Sequence, residues 1–486
     1  MKTKRLSFNE FVFILLALLF VIIGCKKKDI NNDSEIVPGD IPIIDIDSTL
    51  LCFTALANNV VIEMDTIGVL NPIPTIEYSY DGINWTMFSP GTTVAILNKR
   101  GDRVCFRGDN PHGLNVNYNT LQNTNYIKFE IDKPVNVSGN LMSLIDTTYE
   151  SMSIPDYCFV LLFSNTHIGT APELPATTLA SHCYYGMFAG CTGLTAVPEL
   201  PATTLASHCY CGMFAGCTGL TAAPELPATT LADNCYNCMF TWCTGLTTDP
   251  VLSATTLADH CYNGMFSGCT GLTTAPALPA TTLADNCYYN MFSGCTGLTT
   301  APELPATTLA DHCYSRMFSN CKSLTTAPVL SATTLASYCY NYMFSGCTGL
   351  TAAPALPATT LAHSCYANMF ENCINLTTAP ELPAITLDNS GGGSWYCYDH
   401  MFKNCTSLET APELPATALV LGSYSEMFCN CTRLNNIKVH FTEWRGDCTY
   451  SWLENVAQNG TFYCPNSLLQ IFDKDHIPEG WTVETF

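Results

Sequence analysis

"CTGLTTAPELPATTLADHC", residues 295–313, recurs with few changes 26 positions earlier and 26 positions later. Eight successive intervals between the prolines that open "PELPATTLA" and its variants are 26 residues long, and the ninth is 32. A fixed period of this size predicts a solenoid, because each unit is too small to bury its apolar face alone and must stack on its neighbours. The ten prolines are at positions 172, 198, 224, 250, 276, 302, 328, 354, 380 and 412.

One unit, residues 302–327, indicates what each coil contains. Its second half places apolar side chains at the i, i+1, i+4, i+5 and i+8 positions typical of a short amphipathic helix: Cys313, Tyr314, Met317, Phe318 and Cys321. The "LTTA" that follows suits a short strand, and the prolines of "PELP" end it because proline cannot donate to a ladder. The sequence therefore predicts an α/β solenoid whose 26-residue coils contain one short strand and one short helix.

Both ends of the predicted helix carry capping residues. Two positions before the first cysteine of a coil, the chain has either serine or Asp233, Asp259, Asp285 and Asp311, which could each accept from a free amide of a first helical turn. A calcium site is the alternative for these carboxylates, although the serines at Ser181, Ser207 and Ser337 favour capping. Directly before the second cysteine stand Gly or Asn, residues that tolerate the left-handed conformation closing a helix, and only Trp242 departs from this pattern.

Cysteine accounts for 28 of the 486 residues, and most cysteines recur once per coil in two columns. The first column runs from Cys183 to Cys397 and the second from Cys191 to Cys431. Because both fall on the predicted inward stripe, we expect mainly free thiols that act as small apolar side chains. Disulfides between neighbouring coils are the alternative, and the state of Cys52 and Cys105 stays open at this point.

The first residues have the composition of an export signal. Basic residues are followed by thirteen apolar residues from Phe11 to Ile23, too few to span a membrane as a helix. Gly24 and Cys25 then resemble a bacterial lipoprotein cleavage box, which implies a signal peptide over 1–24, a lipid on Cys25 and a flexible linker over 25–44. Lys26 does not resemble an inner-membrane retention signal, so we expect the outer membrane, with surface exposure. Ordinary secretion is the alternative.

The segments that flank the repeats have a different pattern. Residues 45–150 alternate strand-like runs with Gly, Asn, Asp and Pro turns, which predicts a β-sandwich domain. Residues 438–486 follow the last repeat and are predicted to form a C-terminal cap. Both assignments are physically reasonable because an open solenoid end exposes apolar core and unpaired strand edges.

Charge and motifs exclude several functions. The formal net charge is −22, and between residues 172 and 411 only Arg316, Lys322 and Lys403 are basic against fourteen acidic side chains, which argues against nucleic acid. No nucleotide-binding fingerprint or zinc-protease motif is present, and no cofactor or metal site is expected. His-Cys pairs such as His312-Cys313 are not expected to be catalytic, because the cysteine lies on the inward stripe and the histidine does not.

The repeat "MFxGCTGLTTAPELPATTLAxxCY" resembles that of BspA-like leucine-rich repeat surface proteins, and the resemblance covers residues 155–437. This unit is longer than the common one in that family and contains an additional proline. The resemblance implies a non-enzymatic surface protein that adheres to host or neighbouring-cell proteins, and we expect a monomer. A glycan-binding surface module of a polysaccharide uptake system, with the sandwich as binding domain, is the alternative; a passive spacer is a third possibility.

Recognition is predicted at positions that vary from coil to coil. The two residues after each Cys-Tyr pair differ widely, and they include Tyr289, Arg316 and Tyr342. The ninth repeat also contains a six-residue expansion at residues 388–396, with Trp395 and Tyr396, where a recognition loop is expected. The row of threonines on the strand side of the coils is the alternative binding face.

Overall fold

The computed structural model describes residues 50–91, 93–115, 118–119, 122, 125–146, 153–387 and 396–486. The predicted signal peptide, Cys25, the 25–44 linker, Trp395 and most of the predicted recognition loop lie outside these residues. Within the described part of the chain, no helix has the length and apolar character needed to cross a membrane.

The N-terminal strands form two antiparallel sheets. One sheet has the order β4-β3-β6-β1-β8 and the other β5-β2-β7. Buried and more exposed residues alternate along β5 and the first half of β2. Phe53 of the larger sheet contacts Phe129 of the smaller one, with ring centroids 4.9 Å apart. The strands are β1 (Leu51–Ala55), β2 (Val60–Ile67), β3 (Ile76–Ser79), β4 (Thr86–Met87), β5 (Val94–Leu97), β6 (Arg103–Gly108), β7 (Tyr126–Ile131) and β8 (Val135–Ser138).

A disulfide joins two adjacent strands of the larger sheet. Cys52 of β1 lies directly opposite Cys105 of β6, and the two sulfur atoms are bonded. The sequence leaves this pair undecided, because nothing in the spacing indicates that the two cysteines face each other across a ladder.

The two-sheet unit and the repeats share one core. A 3-10 helix at Leu141–Leu144 follows β8, and Val135 of β8 pairs in parallel with Ile168 of the first coil. The Phe129 ring stacks on Phe163, with centroids 5.5 Å apart, and Phe163 stacks on Phe188 of the next coil. The first coil therefore packs directly against the N-terminal sheets, and its open end is covered.

The predicted helix is wrong. In the coil around Tyr314, every second amide donates to the carbonyl three residues earlier, as from Met317 to Tyr314 (3.2 Å). The intervening amides donate to the next coil, as from Tyr314 to Cys339 (3.0 Å) and from Phe318 to Met343 (2.9 Å). Each coil thus contains a ribbon of consecutive turns in place of a helix, and neighbouring ribbons are hydrogen-bonded along their whole length.

The turn ribbon has a four-residue period in its backbone. His312, Arg316 and Asn320 have φ values of 55°, 57° and 60°, in the left-handed region. An α-helix cannot contain such residues, because its amides must all reach the carbonyl four residues earlier. The predicted inward set is nevertheless buried, including Cys313, Tyr314, Met317, Phe318 and Cys321, since a four-residue period gives nearly the same stripe as the helical one.

The predicted strand is reduced to isolated parallel bridges. One bridge row passes through "LTTA", as between Thr300 and Thr326, and another through "ATTL", as between Thr308 and Thr334. The prolines between these rows lack an N–H group and interrupt the ladder. Buried and exposed residues still alternate through "PELPATT", as an extended segment requires.

Aromatic side chains stack continuously through the coils. Tyrosine rings from Tyr184 to Tyr424 lie 5.7–6.0 Å apart, and phenylalanine rings from Phe163 to Phe428 lie 5.5–5.8 Å apart. Each aromatic pair adds about 0.5–1.5 kcal/mol to the effect of burial. Contacts between coils therefore carry much of the stability, as expected for a repeat array.

The C-terminal segment continues the stack with a small parallel sheet. Its order is β11-β10-β9, formed by Asn436–Lys438 (β9), Thr461–Cys464 (β10) and Thr482–Thr485 (β11). A short 3-10 helix at Gly446–Thr449 lies between β9 and β10. The fully buried Trp452 ring contacts Tyr424, the last member of the tyrosine stack, with centroids 6.4 Å apart.

Candidate binding surface on the turn face

The turn ribbons form one long outer surface, which we call the turn face: residues 181–191 in one coil and the equivalent residues in the others. The variable positions after each Cys-Tyr pair lie in the middle of this face, each coil next to the previous one. Their backbone is fixed by hydrogen bonds between coils, as from the Arg316 amide to the Asn341 carbonyl (2.8 Å). Side chains at these positions therefore project from a rigid scaffold, which favours a defined binding surface.

Arg316 and Tyr342 are brought together by the stacking of adjacent coils. The Arg316 guanidinium carbon lies 4.0 Å from the Tyr342 ring centroid, a cation–π contact. Tyr289, one coil earlier, has its ring 6.3 Å from that of His312. Tyr396 lies against Gly422 and is 37% exposed. Tyr289, Arg316 and Tyr342 are thus on one face. Tyr396 also lies on the turn face, one residue before Cys397, and Trp395 is outside the described residues.

A cluster of charged side chains, which the sequence did not predict as a site, continues this arrangement. The Lys403 ammonium group pairs with the Glu426 carboxylate, His400 Nε2 lies 3.4 Å from the Glu426 carboxylate and His400 Nδ1 lies 2.8 Å from Asp399 Oδ1. The sequence feature that could have indicated this cluster is Lys403, because it is one of only three lysine or arginine residues between positions 172 and 411. Its partner Glu426 is 23 positions away in sequence and could not be identified by local spacing.

The electrostatics connect the two groups of residues. Burial lowers the pKa of His400, but the hydrogen bond and charge of Asp399 and the charge of Glu426 outweigh it, and the pKa of His400 is raised. Burial raises the pKa of the Tyr342 hydroxyl, with further contributions from Glu371 and Asp399 that raise it and from Arg316 and Lys403 that lower it. Tyr342 is therefore within electrostatic range of both the arginine and the charged cluster.

We call this set the polar patch. It contains the Tyr342 ring and charged side chains of both signs. All of them are partly exposed and lie on the turn face. Tyrosine and arginine are enriched at protein-binding surfaces. The members of the polar patch are Arg316, Tyr342, Glu371, Asp399, His400, Lys403 and Glu426.

Residues 287–386, 367–452 and 396–470 match the family model described as BspA type leucine-rich repeat region, in six copies. Residues 287–470 are a BspA-type leucine-rich repeat region. No curated protein and no solved structure matches the chain. Leucine-rich repeats of this type are binding and scaffold modules, so the match agrees with a binding role for the polar patch, which lies inside the matched residues.

The predicted helix caps in the leucine-rich repeat region have a different role. Because no helix is formed, Asp233, Asp259, Asp285 and Asp311 have no helical amides to accept from, and that prediction is wrong. The Asp259, Asp285 and Asp311 carboxylates instead accept from the amide at the equivalent position of the next coil, at 3.2, 3.0 and 2.8 Å. In the described residues, Asp233 makes no such bond, and no group of three or more His, Cys, Asp or Glu side chains is placed to hold a metal ion.

The two cysteine columns are free thiols that differ in their hydrogen bonding. Every thiol of the second column donates to the carbonyl of a phenylalanine in the preceding coil, as from Cys295 Sγ to Phe266 O (3.0 Å). In the first column, among the described residues, Cys397 alone has a thiol that donates to a backbone carbonyl, that of Ala362 (3.6 Å). The ten donors are Cys191, Cys217, Cys243, Cys269, Cys295, Cys321, Cys347, Cys373, Cys405 and Cys431.

The His-Cys pairs lack the electrostatics of a nucleophilic site. Burial raises the pKa of the Cys183 thiol well above its usual value, whereas a nucleophilic cysteine needs a lowered one. Burial also lowers the pKa of His182, to about 4, with a contribution from His208. The His182 ring stacks on His208, with centroids 4.4 Å apart, rather than on a cysteine. These pairs are therefore packing elements of the turn face.

The Trp85 ring of the N-terminal domain contacts other side chains. Trp85 packs against the Cys52–Cys105 disulfide, and the Arg107 guanidinium carbon lies 4.0 Å above its ring. Arg107 is held there by the Glu77 carboxylate, 2.8 Å from its Nε atom. Arg107 therefore covers one face of the Trp85 ring.

Proposed function

We propose that the protein is a non-enzymatic cell-surface lipoprotein that binds another macromolecule through the turn face of its leucine-rich repeat region. The partner is a protein of the host or of a neighbouring cell, and the interaction is adhesive. The observation that carries this proposal is the polar patch, where four coils bring together Arg316, Tyr342 and the Lys403–Glu426 pair on a rigid support.

Between residues 172 and 411 the chain is acidic, and two of its three lysine and arginine residues, Arg316 and Lys403, belong to the polar patch. Partly desolvated arginine and tyrosine side chains contribute strongly to protein interfaces. Fixed positions between hydrogen-bonded coils also lower the entropic cost of binding.

The test is a binding screen of the chain from residue 26 onward against extracellular matrix proteins, with glycans included in the same screen. Arg316→Ala and Lys403→Ala should each lower the affinity for the captured protein by about tenfold, which is the effect of losing one interface anchor. Lys322→Ala is the matched control, because Lys322 is an exposed basic side chain of the same solenoid outside the patch. Equal losses for all three variants would show that only overall charge matters, and the proposal would be rejected.

The six-residue expansion can be tested separately. Deleting residues 388–393 restores the 26-residue period, so the fold should survive. If the expansion contributes to recognition, affinity for the captured protein should fall. Undiminished affinity would assign that segment to spacing and leave the polar patch as the binding site.

The lipid anchor is proposed from the sequence features at residues 11–25. We propose that Cys25 carries the lipid, that the protein is held monomeric in the outer membrane through it and that the repeat region faces outward. Cys25→Ala should release the protein from the membrane fraction. A variant that stays in that fraction with undiminished yield would contradict the anchor. Protease accessibility on intact cells tests surface exposure.

A further inference from the structure

Trp242 occupies a backbone position that the other coils reserve for glycine or asparagine. Its φ is 61°, and the equivalent residues in neighbouring coils are Gly190, Gly216, Gly268 and Gly294, all with φ near 75°. A bulky side chain in the left-handed region is strained. Trp242 is 42% exposed, so burial offsets only part of this strain. Packing therefore does not explain why this coil has tryptophan.

Glycines in the two adjacent coils leave one face of the Trp242 ring packed on backbone and the other face uncovered. A Cβ atom at Gly268 would lie 2.6 Å from Cε3 of Trp242, so the ring rests on the backbone of the following coil. The preceding coil has Gly216 at the same position, which has no side chain to cover the opposite side of the ring. The indole ring thus packs against backbone on one face and is accessible on the other.

The surroundings of the ring are small, neutral and rich in hydroxyl groups. We call residues 189–193, 215–219, 241–245, 267–271 and 293–297 the neutral ledge, since they contain only Ala, Cys, Gly, Ser, Thr and Trp242. Two positions after the ring, Thr244 is exposed, and so are its equivalents Thr218 and Thr270 in the adjacent coils. These hydroxyl groups form a row beside the indole, one per coil.

This chemistry selects one class of ligand. An anionic ligand finds no positive charge on the neutral ledge, and an extended peptide finds no free strand edge, because the Trp242 amide donates to Ser267 O (2.7 Å) and the Thr244 amide to Trp242 O (2.9 Å). A pyranose ring has an apolar face of C–H groups that stacks on an indole and hydroxyl groups at its rim that exchange hydrogen bonds with threonine. No deep cavity is needed for such a ligand.

We propose that Trp242 is the stacking platform of a binding site for neutral saccharides, with the threonine row of the neutral ledge as its hydrogen-bonding edge. The site takes successive sugars of a chain that runs across the coils. It is three coils away from Asn320, whose coil carries Arg316, so it is separate from the polar patch and does not depend on the proposed protein partner.

Other coils supply the substitution that tests this proposal. Trp242→Gly introduces the residue found at this position in the adjacent coils, so the melting temperature should be kept or raised while the platform is lost. Trp242→Asn is a second fold-preserving variant, because Asn320 and Asn372 have the same left-handed backbone. Trp242→Phe retains a smaller ring. Arg316→Ala is the control, since it alters the polar patch and leaves the neutral ledge intact.

The probes are neutral hexasaccharides of glucose, xylose, mannose and galactose in α and β linkage, titrated calorimetrically against the chain from residue 26 onward. We expect at least one to bind with a dissociation constant of about 1 mM or lower, and Trp242→Gly and Trp242→Asn to weaken it by about tenfold or more. Trp242→Phe should be intermediate and Arg316→Ala unchanged. The proposal is overturned if no hexasaccharide binds, if Trp242→Gly binds as tightly as the parent, or if Trp242 proves to capture only a protein.

Discussion

The two cysteine columns should respond in opposite ways to the same pair of substitutions. Cys287 and Cys295 belong to one coil and are both fully buried, but only Cys295 donates a thiol hydrogen bond, to Phe266 O at 3.0 Å. In the described residues, Cys287 has no such acceptor. Replacing each by alanine and by serine therefore separates the loss of the sulfur atom from the loss or gain of a hydrogen-bonding group.

At Cys295, alanine removes the buried sulfur, at a cost of about 1 kcal/mol, and a hydrogen bond with a net value of about 0.5–1 kcal/mol. The Phe266 carbonyl keeps its bond from the Cys269 amide (3.0 Å), so it is not left unpaired. Serine retains the donor, and we expect it to cost only about 1 kcal/mol. At Cys287, alanine should cost about 1 kcal/mol, but serine about 2–3 kcal/mol, because its hydroxyl hydrogen would be buried without a carbonyl acceptor.

The assay is urea unfolding of the four variants, followed by circular dichroism, with the parent measured in parallel. Serine should be better tolerated than alanine at Cys295 and worse than alanine at Cys287. If serine is the worse substitution at both positions by the same margin, the thiol-to-carbonyl bonds contribute nothing measurable, and the distinction between the columns is refuted.

Three further predictions concern the turn face. The pKa of His400 is raised, so its stabilising contribution is present below the unfolded pKa of about 6.5 and is lost as pH rises through the folded value; His400→Gln should lower the melting temperature at pH 5.5 and leave it unchanged at pH 8.5. The pKa of His182 is lowered, to about 4, so acid should destabilise the parent between about pH 6.5 and 4. His182→Asn introduces the residue found at this position in two other coils, and it should reduce that acid sensitivity in thermal melts. Asp311→Ala should cost about 0.5–1 kcal/mol by removing the acceptor of the Ser337 amide, whereas Asp311→Asn retains an acceptor oxygen and should be nearly neutral in urea unfolding; equal costs would contradict the assigned bond.

The apolar stripe of each coil does not distinguish a helix from a turn ribbon. Over nine residues, a stripe at i, i+1, i+4, i+5 and i+8 fits a period of 3.6 and a period of 4 equally well. The left-handed residues that separate the two, such as His312 and Arg316, are not glycine or asparagine, so residue type alone did not identify them. At Asn320 and Gly346 the sequence did indicate a left-handed backbone, but as the end of a helix rather than as part of a turn ribbon.

The sequence by itself determined the array, its 26-residue period, the inward apolar columns and the acidic surface. These follow from residue type and spacing, since burial of one stripe per coil is required whatever backbone conformation delivers it. Only the tertiary structure decided the turn ribbon, the carboxylate bonds to the next coil and the assembly of Arg316 with Tyr342 or Lys403 with Glu426. The physical reason is that half of the turn amides bond to carbonyls in the adjacent coil about 25 residues away, and a partner at that distance appears only once the coils are stacked.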